Sequence, residues 1–141
     1  MFENTTFGKT IGLLSRSMDV SMLRRSVIAN NIANADVPNF KRSDVNFEAA
    51  LKRALDSEDA TPELDLATDN EKHIPLYRPV SWQSIEPRRV LDYTTSTKAN
   101  GNNVDAEEEF MASLNNQLSY TMMAQSANYE FSQVNSVLRS S

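Results

Sequence analysis

A helix has to end between Ala29 and Arg42, and that one requirement limits how the rest of the chain can be arranged. Ala29, Ile32 and Ala33 continue the spacing of the residues before them. Asn30, Asn31 and Asn34 carry short amides that bond nearby backbone and tolerate left-handed angles at a helix end. Three residues past Ala35, Pro38 lacks an N–H and pushes Val37 into extended geometry. The helix is therefore expected to stop near Asn34 or Ala35. Pro38-Asn39 then suits the centre of a turn that needs positive φ at its second residue, with Phe40 as an apolar anchor beside Lys41 and Arg42.

Before this stop, Phe7, Ile11, Leu14 and Met18 fall four, three and four residues apart, and Leu13, Val20, Leu23 and Val27 mark an adjoining stripe. Two stripes call for more than one neighbour. A helix from Phe7 to Asn34 would run about 42 Å at roughly 1.5 Å per residue, longer than a small compact domain requires. Gly8 and Gly12 weaken its opening turns by about 1 kcal/mol each relative to Ala.

At the other end, Asn100-Gly101-Asn102-Asn103 is a turn cluster, and Asp105 can cap a second long helix with Glu108 three residues on. Glu107, Glu108 and Glu109 set negative charge at the positive end of its dipole. Tyr120, Ala124, Ala127, Phe131, Val134 and Leu138 then follow a coiled-coil spacing, and Leu114, Leu118 and Met122 add a second face. Between the two helices, Ser43 or Asp44 can cap a short helix bearing Phe47, Leu51 and Leu55 on one side. Asp56 to Pro62 reads as an exposed loop. Pro75, Pro79 and Pro87 forbid a long helix from His73 to Thr97, where short strands are expected, with a small hairpin around Glu86-Pro87-Arg88 joining residues 80–85 to 89–95.

The run from Asn31 to Lys41 resembles the signature of bacterial flagellar axial proteins, the rod and hook family, whose pattern is roughly Asn-x-Ala-Asn-x-x-Thr-Pro-Gly-Tyr/Phe-Lys. Asn31, Ala33, Asn34, Pro38, Phe40 and Lys41 occupy the matching positions, while Val37 stands for the usual Thr and Asn39 for the usual Gly. Residues 44–51 and 101–105, with the short length, look like the proximal rod members. The resemblance implies a structural, non-enzymatic rod subunit that bundles with copies of itself and other rod proteins. It also implies contacts with the adaptor that joins the rod to the membrane ring, and with the flagellar type III export apparatus. Such subunits leave the cell body without a cleaved signal and lie in the basal body within the envelope. Phe7 followed by Ile11 is similar to an export-gate recognition element, and equally to any amphipathic packing pair.

The expected fold is mainly α: long N- and C-terminal helices paired as an antiparallel coiled coil, a short third helix, and a small irregular, β-containing middle. Boundaries are expected at 1–42, 43–103 and 104–141. Phe7, Ile11, Leu14, Met18, Val20, Leu23, Val27, Leu114, Leu118, Tyr120, Ala124, Ala127, Phe131, Val134 and Leu138 are the expected packing and assembly residues.

Composition closes off other functions. A formal charge of -5 argues against a protein that neutralises nucleic-acid phosphates, and no cysteine is present for a thiolate metal site or nucleophile. The glycines, Gly8, Gly12 and Gly101, form no phosphate-binding loop. His73, the sole histidine, has acidic neighbours at Asp65, Asp69 and Glu71 but no second histidine or helical spacing, so no metal or cofactor is expected. No apolar run reaches the roughly 18 residues of a membrane span. The competing reading is a soluble helical adaptor or chaperone that uses the same amphipathic faces for one partner.

Overall fold

The computed structural model describes residues 5–59, 70, 72–73, 80–95 and 98–139. In chain order its elements are α1 (Thr6–Ala33), β1 (Ser43–Asn46), α2 (Glu48–Asp59), a single 3-10 turn (Trp82–Ser84), β2 (Arg88–Leu91) and α3 (Ala106–Arg139). They form two compact units, one from residues 1–45 with 89–141 and one from residues 46–88.

The first unit holds both long helices. Thr5 starts α1, its hydroxyl accepting from the Gly8 N–H at 3.1 Å, so a cap offsets part of what Gly8 and Gly12 cost. Asn34 ends it as expected. Its N–H reaches the carbonyls of Asn30 (3.2 Å) and Asn31 (3.1 Å), and its side-chain amide donates to Asn30 O at 2.7 Å. Carbonyls left over at the last turn are thereby satisfied within one residue. At the start of α3 the Asp105 carboxylate accepts from the N–H groups of Glu107 at 2.9 Å and Glu108 at 3.5 Å. Three contacts fix the sense of the pair. Ascending α1 through Phe7, Ser21 and Asn31, the partners on α3 descend through Phe131, Asn116 and Glu109, so the helices are antiparallel.

Ser43 and Asp44 do not cap a helix; they open β1, which hydrogen-bonds to β2 in a two-stranded sheet. The reason is Asn31. Its side-chain amide mimics a ladder residue, accepting from Ser43 N–H at 3.0 Å and donating to Ser43 O at 2.8 Å, which holds the backbone extended. Ser43 and Val45 face inward while Asp44 and Asn46 face out. The expected hairpin does not form either. β2 takes β1 as its partner, and residues 82–84 wind into the 3-10 turn, capped by the Ser81 hydroxyl accepting from Gln83 N–H at 3.3 Å.

In the second unit, α2 begins directly after Phe47, whose carbonyl accepts from Ala50 and Leu51. Phe47 is buried and Leu51 and Leu55 are half-buried, so the expected shared face exists. Asp56 to Asp59 is helix rather than loop. Charged residues suit a helix surface well enough, and here two side chains of this stretch are tied down: Val80 N–H donates to the Ser57 hydroxyl at 3.0 Å, and Trp82 N–H to Glu58 Oε1 at 3.2 Å. The remainder of the expected loop, Ala60 to Pro62, lies outside the described residues, as do most of residues 60–79.

Candidate functional site

The turn after α1 is built as the residues dictate. Phe40 N–H donates to Val37 O at 3.3 Å, closing a four-residue turn, and Asn39 takes φ 60°, the left-handed angle that the usual glycine would supply. Against it lies the loop that leads into α3. Asn39 N–H donates to Asn100 O at 3.1 Å, Lys41 Nζ to Gly101 O at 2.9 Å, and Lys98 Nζ to Ala35 O at 2.7 Å. Asn102 is fully buried beneath the turn. Its amide nitrogen lies within 3.0 Å of the carbonyls of Asn34, Ala35 and Val37, and its oxygen accepts from Val104 N–H at 2.7 Å. One side chain therefore holds three carbonyls of a turn whose backbone has no ladder to join.

Beneath this turn is a buried polar cluster. Glu109, 0% exposed, accepts from Asn31 Nδ2 at 3.1 Å and from Arg42 Nε at 2.5 Å. Burial alone would lower the Arg42 pKa. The hydrogen bond and charge of Glu109, with Asp44 and Glu108 adding to them, outweigh burial and raise it. Arg42 N–H also donates to Asn103 Oδ1 at 2.6 Å, and Asn103 Nδ2 to Asp92 O at 2.9 Å, so the strand that follows the turn is joined to β2 through α3's leading loop. Further along the helices, Ser21 and Asn116 bond reciprocally: Ser21 Oγ donates to Asn116 Oδ1 at 2.8 Å, and Asn116 Nδ2 to Ser21 O at 2.9 Å.

The six signature residues divide by role. Asn31 is buried in the cluster, Asn34 caps the helix, and Lys41 bonds the opposing loop, while Ala33 and Pro38 are exposed and Phe40 half-buried. Of the expected packing residues, Val20 and Val27 are buried, and Phe7, Ile11, Leu14, Met18 and Ala127 half-buried. Leu23, Leu114, Leu118, Tyr120, Ala124, Phe131, Val134 and Leu138 are exposed. Phe7 and Phe131 meet edge to face with ring centroids 5.6 Å apart, a favoured aromatic geometry. On α3, Phe110 (61% exposed), Met111, Leu114 (62%), Leu118 (54%) and Met122 leave a long apolar surface open. A cavity of about 260 Å³ lies beside the Ser21–Asn116 pair, with Met22, Arg25 and Tyr120 among its walls.

Sequence reasoning missed Ser21, Ser43, Asn102, Asn103, Glu109 and Asn116. Glu109 in particular reads from the sequence as dipole charge beside Glu107 and Glu108, whereas in the structure only those two are exposed. The available signal was spacing: Glu109 and Asn116 stand one heptad apart, on the same side of the helix.

The model of the family described as "Flagella basal body rod protein" matches residues 23–41, the segment containing the clamped turn. The chain is 38% identical to the flagellar basal body rod protein FlgB of Borreliella burgdorferi, over 94% of this chain and 98% of that one. It is 41% identical to FlgB of Borrelia hermsii over the same shares, and 32% identical to FlgB of Bacillus subtilis over 94% and 95%. Two long paired helices, a signature turn at one end and apolar faces directed outward define the class, a structural subunit of the flagellar basal-body rod. The chain belongs to the FlgB family of proximal rod proteins.

Proposed function

We propose that the chain builds the proximal rod by packing the outward faces of α1 and α3 against other rod subunits. The observation that carries this is the open apolar surface at Phe110, Met111, Leu114, Leu118 and Met122, on a helix whose inward side is already engaged. Apolar surface of this extent is a recognised mark of an interaction site. Contacts of that kind that join unlike surfaces and do not close produce helical arrays, the symmetry a rod requires. Val20 and Val27 serve the subunit's own core, while Leu23, Leu114, Leu118, Tyr120, Ala124, Phe131, Val134 and Leu138 serve assembly.

The finer reading adds the membrane-ring adaptor and the type III export apparatus as partners, and export without a cleaved signal to the envelope. Phe7 and Ile11 are the proposed export element. Phe7 also contacts Phe131, which supports a packing role after assembly. Replacing both Phe7 and Ile11 with Ala is expected to block secretion; normal secretion without rods would leave them packing alone.

The assembly reading is tested with Leu114→Asp combined with Leu118→Asp. Both side chains are exposed in the isolated subunit, so folding should be retained by circular dichroism, and export should continue. The variant should be absent from purified basal bodies. Basal bodies carrying it at normal levels would overturn the assignment of this face.

A further inference from the structure

The inward side of α3 is the more polar of its two sides near the clamped turn. Its buried residues are Glu109 and Asn116, with Ser113 half-buried between them, whereas Phe110, Met111, Leu114 and Leu118 are exposed. Apolar burial by itself favours the opposite choice, with Leu114 and Leu118 turned against α1. Something other than hydrophobicity sets which side faces in.

We propose that the Ser21–Asn116 and Asn31–Glu109–Arg42 contacts are facing determinants, which select the inward side of α3 and its register on α1 and so keep the apolar side outward. Each contact is specific in both partners. The Ser21 hydroxyl donates to Asn116 Oδ1 at 2.8 Å while Asn116 Nδ2 donates to the Ser21 carbonyl at 2.9 Å, and the Asn31 amide uses both donors and its acceptor on Ser43 and Glu109. A slip of one heptad sets Asn116 opposite Leu14 or Ile28, neither of which has a hydroxyl to donate to its Oδ1, and rotation of α3 strands Glu109 and Asn31 without their side-chain partners. Buried polar groups at helix seams are well attested as devices for register at some expense of stability. That the outward side is kept for other subunits rests on the assembly reading above; the choice of side does not.

The test uses the isolated full chain, which has no cysteine of its own. Leu118→Cys places a single reporter thiol on the outward side, where it should be alkylated rapidly. Adding Ser21→Ala with Asn31→Ala makes the α1 side of the seam apolar and removes the side chains that hold Asn116 and Glu109 inward. The expected result is retained helical circular dichroism with alkylation slowed about tenfold, as side chains of the former outward face exchange into the seam. Ser21→Ala alone, which adds no bulk, should slow it less, and it decides the matter if the double variant loses its helical signal. An unchanged rate, or a faster one as simple loosening or unfolding would give, overturns the proposal. Absence of Leu114→Asp/Leu118→Asp from basal bodies would not alter that outcome, so the two readings fail separately.

Discussion

Asn39 and Gly101 meet across the turn so closely that a Cβ on Gly101 would stand 2.6 Å from Asn39 Oδ1. Both residues have positive φ, 60° for Asn39 and 80° for Gly101. The signature turn and the loop into α3 are thus complementary surfaces. Asn39 can stand where the family usually has glycine because an amide tolerates the left-handed region, whereas Gly101 has neither room nor a favourable angle for any side chain.

Gly101→Ala should therefore destabilise the isolated chain by about 1 to 3 kcal/mol, from strained backbone and the displaced Asn39 amide. Asn39→Gly should change stability by less than about 1 kcal/mol, because the angle is then unstrained. Thermal melts of the two variants check the contrast.

Asn102→Ala should cost about 2 to 3 kcal/mol, since it removes the amide that serves three carbonyls and the oxygen that receives Val104 N–H. Asn102→Asp should be worse, because a carboxylate would face those same carbonyls. Urea unfolding gives both values, and hydrogen exchange should show the loss first at residues 34–41.

Phe131→Asp separates folding from assembly. In the isolated subunit Phe131 is 50% exposed and its ring contact with Phe7 accounts for about 1 kcal/mol, so the variant should still fold. Motility and basal-body incorporation should nevertheless be lost, while Gln133→Asp, also on the exposed surface, should be tolerated. Expression and export of both must be scored, because lost export mimics lost assembly.

Asp92 supplies a titration. Its carboxylate accepts from the Thr95 hydroxyl at 2.6 Å and from the Thr94 N–H and hydroxyl at 2.9 Å each, which lowers its pKa to about 2. Because the folded value is depressed, its contribution to stability is present above the ordinary carboxylate range and is lost as pH falls through about 2. Carboxyl-carbon NMR should find that midpoint, and Thr95→Val should move it upward.

The long helices and their ends were legible because each rests on local chemistry: the Asn34 cap, the Pro38-Asn39 turn and the Asp105 cap all act within a few residues of themselves. What escaped notice depends on distant partners. Ser43 and Asp44 offer ordinary cap chemistry, and only the Asn31 amide, arriving from another element, makes them strand. Residues 88–91 found a partner in β1 for the same kind of reason. Apolar periodicity leaves direction on α3 open, since Leu114 and Leu118 form a regular stripe whether it faces inward or out; Asn116 and Glu109 decide which.

Imaging a purified basal body at side-chain resolution tests most directly whether the outward face of α3 is an assembly surface. Leu114 and Leu118 should be covered by helices of other rod subunits, with Asn116 still bonded to Ser21 beneath them. Leu114 and Leu118 open to solvent in the assembled rod would contradict it.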